Sequence, residues 1–203
     1  MKTETISIFA DGKGKDEALA LTDKTASYSA LDHKSALRLR LLSEELIGFI
    51  GAFKDNHQGD FWLEADDKDI EIHLTTEIPM DLQTRRELLA VSTSGKNDAA
   101  KGFMGKLREM IANATLPDDP EEKEMSDQVL GLMSLGSQVG QYSGNYSWAM
   151  TQYTASINNA SSKPEVQKEK DDLERSIVAN IADDVKVNII NDSVEITIFK
   201  SFK

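Results

Sequence analysis

Apolar and polar residues alternate most regularly at the two ends of the chain. Residues 4–9 carry a short alternation around Ile6 and predict a first strand, which Asp11-Gly12-Lys13-Gly14 then breaks. At the other end, Val185, Val187 and Ile189 alternate with polar residues, Asn191-Asp192 turns the chain, and Val194, Ile196 and Ile198 alternate back. That pattern predicts a closing hairpin. Between the ends the period changes. Residues 15–30 predict a modest helix. Asp32 is placed as the N-cap of a second helix over 34–53, where Leu39, Leu42, Leu46, Phe49 and Phe53 step by three or four and mark one buried face. After the turn Asn56–Gly59, Phe61–Leu63 and Ile70–Leu74 read as a hairpin around the acidic turn 65–69.

Pro79 ends that unit. A short helix over 81–91, a polar loop over 92–97 and a helix over 102–114 are expected next, then the turn or linker 117–122. Ser162 and Glu165 form a capping-box pattern that opens a charged helix to about Ala182, with Leu173, Ile177 and Ile181 as its inward stripe. No internal repeat is visible. Helices against one face of a mixed, mostly antiparallel sheet make a two-layer α/β (α+β) sandwich, within a single domain spanning 1–203.

Composition narrows the chemistry. With 203 residues, 39% of them hydrophobic and 29% charged, the chain has material for one good-sized core. Its net charge of −12 repels phosphate, so nucleic acid and anionic membrane are poor partners. Arg38, Arg40, Arg85, Arg86 and Lys96 are scattered and read as solvated helix faces. The absence of cysteine removes disulfides, thiol catalysis and cysteine-based zinc sites. No apolar signal segment opens the chain and no stretch is long enough to span a membrane, which leads to an expectation of a cytoplasmic protein. His33, His57 and His73 lack paired spacing and read as isolated surface residues. Asp66, Asp67 and Asp69 lack the glycine and glutamate of a calcium loop and read as a turn. No Gly-x-Ser-x-Gly elbow supports a hydrolase.

One stretch of the second helix, Leu41-Leu42-Ser43-Glu44-Glu45-Leu46-Ile47-Gly48, together with the element order, resembles the histidine kinase-like ATPase (GHKL, Bergerat-like) family. The anti-sigma-factor serine kinases are its most similar branch. The resemblance covers residues 3–113 and 171–203. It implies ATP with magnesium as cofactor, Glu44 as the base that activates an attacking hydroxyl, and homodimers. Gly48 stands where the family has the asparagine that holds magnesium, and glycine has no side-chain oxygen to offer. Where the family has an Asp-x-Gly-x-Gly box for adenine, this chain has Thr75 and Thr76 and no Asp-Gly pair; a neutral hydroxyl is the weaker acceptor. Ser92, Thr93 and Lys96 resemble the lid of the serine kinases. Gly102 and Gly105 resemble its second glycine box, at a helix start whose N–H groups suit phosphate. An alternative alignment places that box over 140–157.

Residues of about 115–170 have no counterpart in the short members of that family and are expected to form a helical insertion. Gly136, Gly140 and Gly144 are four apart, beside Tyr142, Tyr146, Trp148 and Tyr153. As a helix they would present a smooth, aromatic, weakly charged ridge suited to a protein partner; as an internally packed hairpin they would cover the sheet. Two functions follow from the sequence. One is a degenerate, non-catalytic regulatory relative that works by protein–protein contact. The other is an active ATP-dependent serine/threonine kinase of the anti-sigma-factor type.

Overall fold

A computed structural model describes residues 1–53, 57–78, 103–114, 145–159, 164–190 and 192–203. The elements in chain order are β1 (Ile6–Phe9), α1 (Lys15–Tyr28), α2 (His33–Ile50), β2 (Gln58–Asp66), β3 (Asp69–Glu77), α3 (Phe103–Ala114), β4 (Asn145–Ala149), α4 (Met150–Asn159), α5 (Pro164–Arg175), α6 (Ile177–Ile181), β5 (Asp184–Ile190) and β6 (Ser193–Ser201). The six strands form one sheet in the order β1-β2-β3-β6-β5-β4. Every pairing between them is antiparallel, so the expected parallel component of the sheet is not found among the described residues.

The sheet alternates as its sequence does. Ile6, Ile8, Phe61, Leu63, Ile72, Leu74, Val185, Val187, Ile196 and Ile198 point to one face and join a single buried cluster with residues of the described helices. The helices therefore lie on that face, which makes two layers. α1 and α2 pack as a pair over it. Their contact includes a buried hydrogen bond between the Ser43 and Thr22 hydroxyls at 3.1 Å, with Thr22 Oγ1 as acceptor. Thr22 also donates to the Ala18 carbonyl at 2.9 Å, so this polar contact is satisfied within the core. Asp32 caps α2 as expected, accepting from the Ser35 N–H at 2.8 Å. α2 ends at Ile50, and Phe53 is buried just beyond it.

Two departures from the sequence reading have local causes. The charged helix is broken at Ser176, whose hydroxyl accepts from the Ala179 N–H at 3.2 Å and starts α6 as a separate turn. This new phase buries Val178 and leaves Ile177 exposed, so Ile177 is not part of an inward stripe. Inside the expected helical insertion, residues 145–149 are a strand. β4 pairs with β5 and forms an edge of the sheet, with Tyr146 and Trp148 opposite Ile189 and Val187. Aromatic and β-branched residues pair well across strands, and here that pairing wins over a helix. The expected helix over 81–91, the loop over 92–97 and the linker over 117–122 lie outside the described residues. Among the described residues no helix is long and apolar enough to cross a membrane.

The β1–α1 turn depends on glycine at two positions. Gly12 has φ 93° and Gly14 has φ 84°, both left-handed. A Cβ on Gly12 would meet open space, whereas one on Gly14 would run into the Ser7 carbonyl. Gly12→Ala should therefore cost about 1–2 kcal/mol from backbone strain alone, and Gly14→Ala clearly more. Urea unfolding midpoints would check this; equal losses would show that the Ser7 contact relaxes freely.

Candidate functional site

Two regions gather polar groups. The first lies at the C-terminal half of α2, where the sequence placed a nucleotide. Glu44 is held by Arg40 at 3.3 Å one helical turn earlier, and Arg40 also binds Asp23 of α1 at 2.6 Å. The carboxylate thus belongs to a partly exposed ion-pair ladder on the helix pair. Gly48 is exposed, and its carbonyl accepts from Arg108 Nη2 of α3 at 3.1 Å. Arg108 is only 7% exposed and its Nε has no hydrogen-bond partner. It sits over the Phe49 ring, 5.8 Å from the centroid. Burial pulls its pKa down, opposed by the charge of Glu45. Burial pushes the Glu45 carboxyl up; Arg108 opposes this and Glu44 adds to it.

Thr75 and Thr76 are consecutive in β3, so they face opposite sides of the sheet. Thr76 is buried, donates to the Gln58 carbonyl at 2.7 Å and lies 3.0 Å from His57 Nε2. The His57 ring stacks on Phe53 with centroids 4.0 Å apart. Thr75 is on the outer face, opposite Asp60 and Glu195. The two threonines cannot share one adenine. Gly105 is buried in the first turn of α3. Ser92, Thr93, Lys96 and Gly102 lie outside the described residues, as do Gly136, Gly140, Gly144 and Tyr142. Trp148 is 1% exposed and packs against Tyr153 at 5.7 Å, and Tyr146 is half-buried against the same core. Both rings thus serve the inner face of the sheet, where neither presents an exposed contact ridge, because the strand turns both inward.

Among the described residues around α2, no side-chain oxygen stands where the resemblance places the magnesium ligand. Gly48 offers no side-chain oxygen, its carbonyl is already engaged, and the two threonines diverge. Among the described residues there is no group of three or more histidine, aspartate or glutamate side chains placed to hold a metal.

The second region is the outer face of the sheet, which carries no helix among the described residues. Antiparallel register lines its side chains up in rows across the strands. Glu64, Glu71, Phe199 and Asp184 form one row. Trp62, His73, Thr197 and Lys186 form the next, and Asp60, Thr75, Glu195 and Asn188 the third. At the centre, the rings of Trp62 and His73 stack with centroids 4.8 Å apart and planes within 1°. Thr197 Oγ1 is 3.2 Å from His73 Nδ1. His73 Nε2 lies 3.3 Å from Glu71 Oε2 but makes no hydrogen bond. Glu195 is 4.0 Å from Nδ1. Trp62 Nε1–H donates to Glu64 at 3.1 Å, and Lys2 binds the same carboxylate at 2.9 Å. Lys2 also lies over the Trp62 ring, 5.1 Å from its centroid. A cavity of about 480 Å³ opens beside this row, lined by Lys2, Glu64, Asp66, Asp69, Glu71 and Phe199 among others.

This face was missed when each histidine was read alone. The usable signal was the register: once β2, β3 and β6 are aligned, Trp62, His73 and the glutamates fall on one side. No family model, no curated protein and no solved structure matches this chain.

Burial lowers the His73 pKa, with Glu71, Glu64 and Glu195 pushing it back up and Lys2 adding slightly to the lowering. Burial also lowers that of His57. Both folded imidazoles therefore bind protons less readily than the unfolded chain, whose ordinary value is 6.5. The stability they contribute is complete above that value and is lost as pH falls below it toward the folded values. The urea midpoint should drop between about pH 7.5 and about pH 5.5, above the ordinary carboxylate range. The double variant His57→Gln/His73→Gln should show a flatter profile. An equal slope in both proteins would remove the histidines as its cause.

Proposed function

We propose that this chain is a non-catalytic regulatory protein that acts by protein–protein contact, on a scaffold related to the histidine kinase-like ATPases. The observation that carries the contact reading is the outer sheet face. It combines a flat Trp62–His73 stack with a dense set of carboxylates, and its central pair opposes Glu64 directly to Glu71. Like charges opposite each other across strands destabilise a sheet. Such an arrangement is expected where a face is shaped for recognition rather than for folding alone.

The state of the α2 region supports the non-catalytic part. A base that activates a hydroxyl needs a carboxylate free to reach it, and Glu44 is engaged by Arg40. The position where the family's magnesium ligand would stand has only a carbonyl, and Arg108 donates to it. The relationship to the ATPase family rests on the element order and on Ser43-Glu44. Homodimers of the serine-kinase kind and a cytoplasmic setting belong to the same proposal.

Calorimetric titration with ATP, with and without magnesium, tests this reading against an active serine/threonine kinase. The expected result is no saturable heat at millimolar nucleotide. Magnesium-dependent binding in the micromolar range, lost on Arg108→Ala or Glu44→Ala, would overturn it.

A further inference from the structure

The chain's own Lys2 already places one cation on the outer face. Its ammonium group takes a carboxylate, Glu64, and an aromatic face, Trp62, at the same time. Cation–π and ion-pair contacts reinforce each other in this way when one cation reaches both groups. The rest of the face repeats the acidic half of that arrangement with far fewer cations. Asp60, Glu71, Glu77 and Glu195 belong to this face of the strands, against Lys186; Asp184, in the Glu71 row, instead accepts from the Thr151 N–H at the start of α4. Glu71 and Glu195, whose side chains flank His73, remain 48% and 40% exposed, enough to be reached from solvent. The His73 ring between them is nine-tenths buried, and its Nε2 faces Glu71 without a hydrogen bond.

We propose that the outer face of the sheet docks a lysine- and arginine-rich segment of a partner protein, lying extended along the strands over β2, β3 and β6. The inference rests on the protein-contact reading above and gives the partner its chemistry. Charge complementarity selects the occupant. A cationic segment relieves the Glu64–Glu71 opposition, whereas a second copy would bring the same acidic face against this one and be repelled. Spacing agrees as well. Alternate residues of an extended chain are about 6.6 Å apart, and that is also the separation of successive rows on this face. Cations at every second position of a segment running along the strands would thus meet the Glu64–Glu71 row, the Trp62 ring and the Asp60–Glu195 row in turn. In the cavity beside Phe199, Glu64 and Asp69 are already paired with Lys2 and Lys203, which leaves Asp66 and Glu71 to a further cation.

The probe is a labelled ten-residue peptide of alternating arginine and serine, titrated into the full chain at about 50 mM and about 150 mM salt. Anisotropy of the label reports binding. Intrinsic fluorescence reports the site, because Trp62 is half-buried on this face while Trp148 is buried beneath the sheet. The expected result is saturable 1:1 binding with a change in tryptophan emission. Glu71→Gln/Glu195→Gln should weaken it about tenfold. Asp16→Asn/Glu17→Gln, an equal charge change on exposed residues of α1, should leave it within about twofold. Trp62→Phe should remove the emission change and weaken binding about two- to fivefold.

Equal weakening by the two charge-matched doubles would show attraction to net charge alone and overturn the proposal. Absence of saturable binding at the lower salt would do the same. Concentration-dependent self-association without peptide, abolished by Glu71→Gln/Glu195→Gln, would identify a second copy as the occupant and also overturn it. None of these failures bears on nucleotide binding, which the ATP titration decides separately.

Discussion

The register between β3 and β6 is the constraint on which the rest of the structure depends. It joins the N-terminal meander to the C-terminal hairpin, pairing Ile72 with Ile198 and Leu74 with Ile196 in the buried layer. Those four side chains are essentially inaccessible, so a slip of one residue would expose an apolar row and bury charged ones. The same register sets Glu71 beside Phe199, His73 beside Thr197 and Thr75 beside Glu195 on the other side. Core and outer face are therefore two consequences of one pairing. Burial of the apolar side holds the acidic side in place.

That coupling explains how the sheet tolerates its electrostatics. Glu64 and Glu71 face each other across β2 and β3. Glu64 is relieved from within the chain, since hydrogen bonds from Lys2 and Trp62 hold its carboxyl below the usual range. Glu71 has His73 beside it, which burial keeps reluctant to take a proton. The helix side resolves its charges differently. Arg40 bridges Asp23 and Glu44, and Arg108 is buried against Phe49 and the Gly48 carbonyl. On the helix side Glu44 is tied to Arg40, whereas on the outer face Glu71 and Glu195 keep 48% and 40% of their side chains open to solvent.

Much of the fold could be read from residue order because local period and tertiary burial agree. α2 was marked by its Asp32 cap and leucine spacing, and the last hairpin by strict alternation from Val185 to Ile198. Agreement failed where long-range pairing decides. Tyr146 and Trp148 sit among glycines that suggested a close-packed helix, yet the partner that makes them a strand, β5, begins some 35 residues later. Ser176 was read as the interior of a helix because its capping of Ala179 depends on how the turn meets the core. Thr75 and Thr76 were interchangeable as an acceptor in a line of text, and strand pleating puts them on opposite faces. The outer face was hidden for a related reason: its residues come from β2, β3 and β6, and Glu195 is 124 positions from Glu71.

The account places recognition on the outer sheet face and leaves the α2–α3 side structural. Mapping amide and indole chemical shifts by NMR, while adding the arginine–serine peptide, examines that division residue by residue. The account predicts movement of the Trp62 indole N–H and of the backbone of Glu71, His73, Glu195 and Thr197, with Glu44, Gly48 and Arg108 unchanged. Shifts centred on Gly48 and Arg108, or scattered over the helices as much as the sheet, would contradict it.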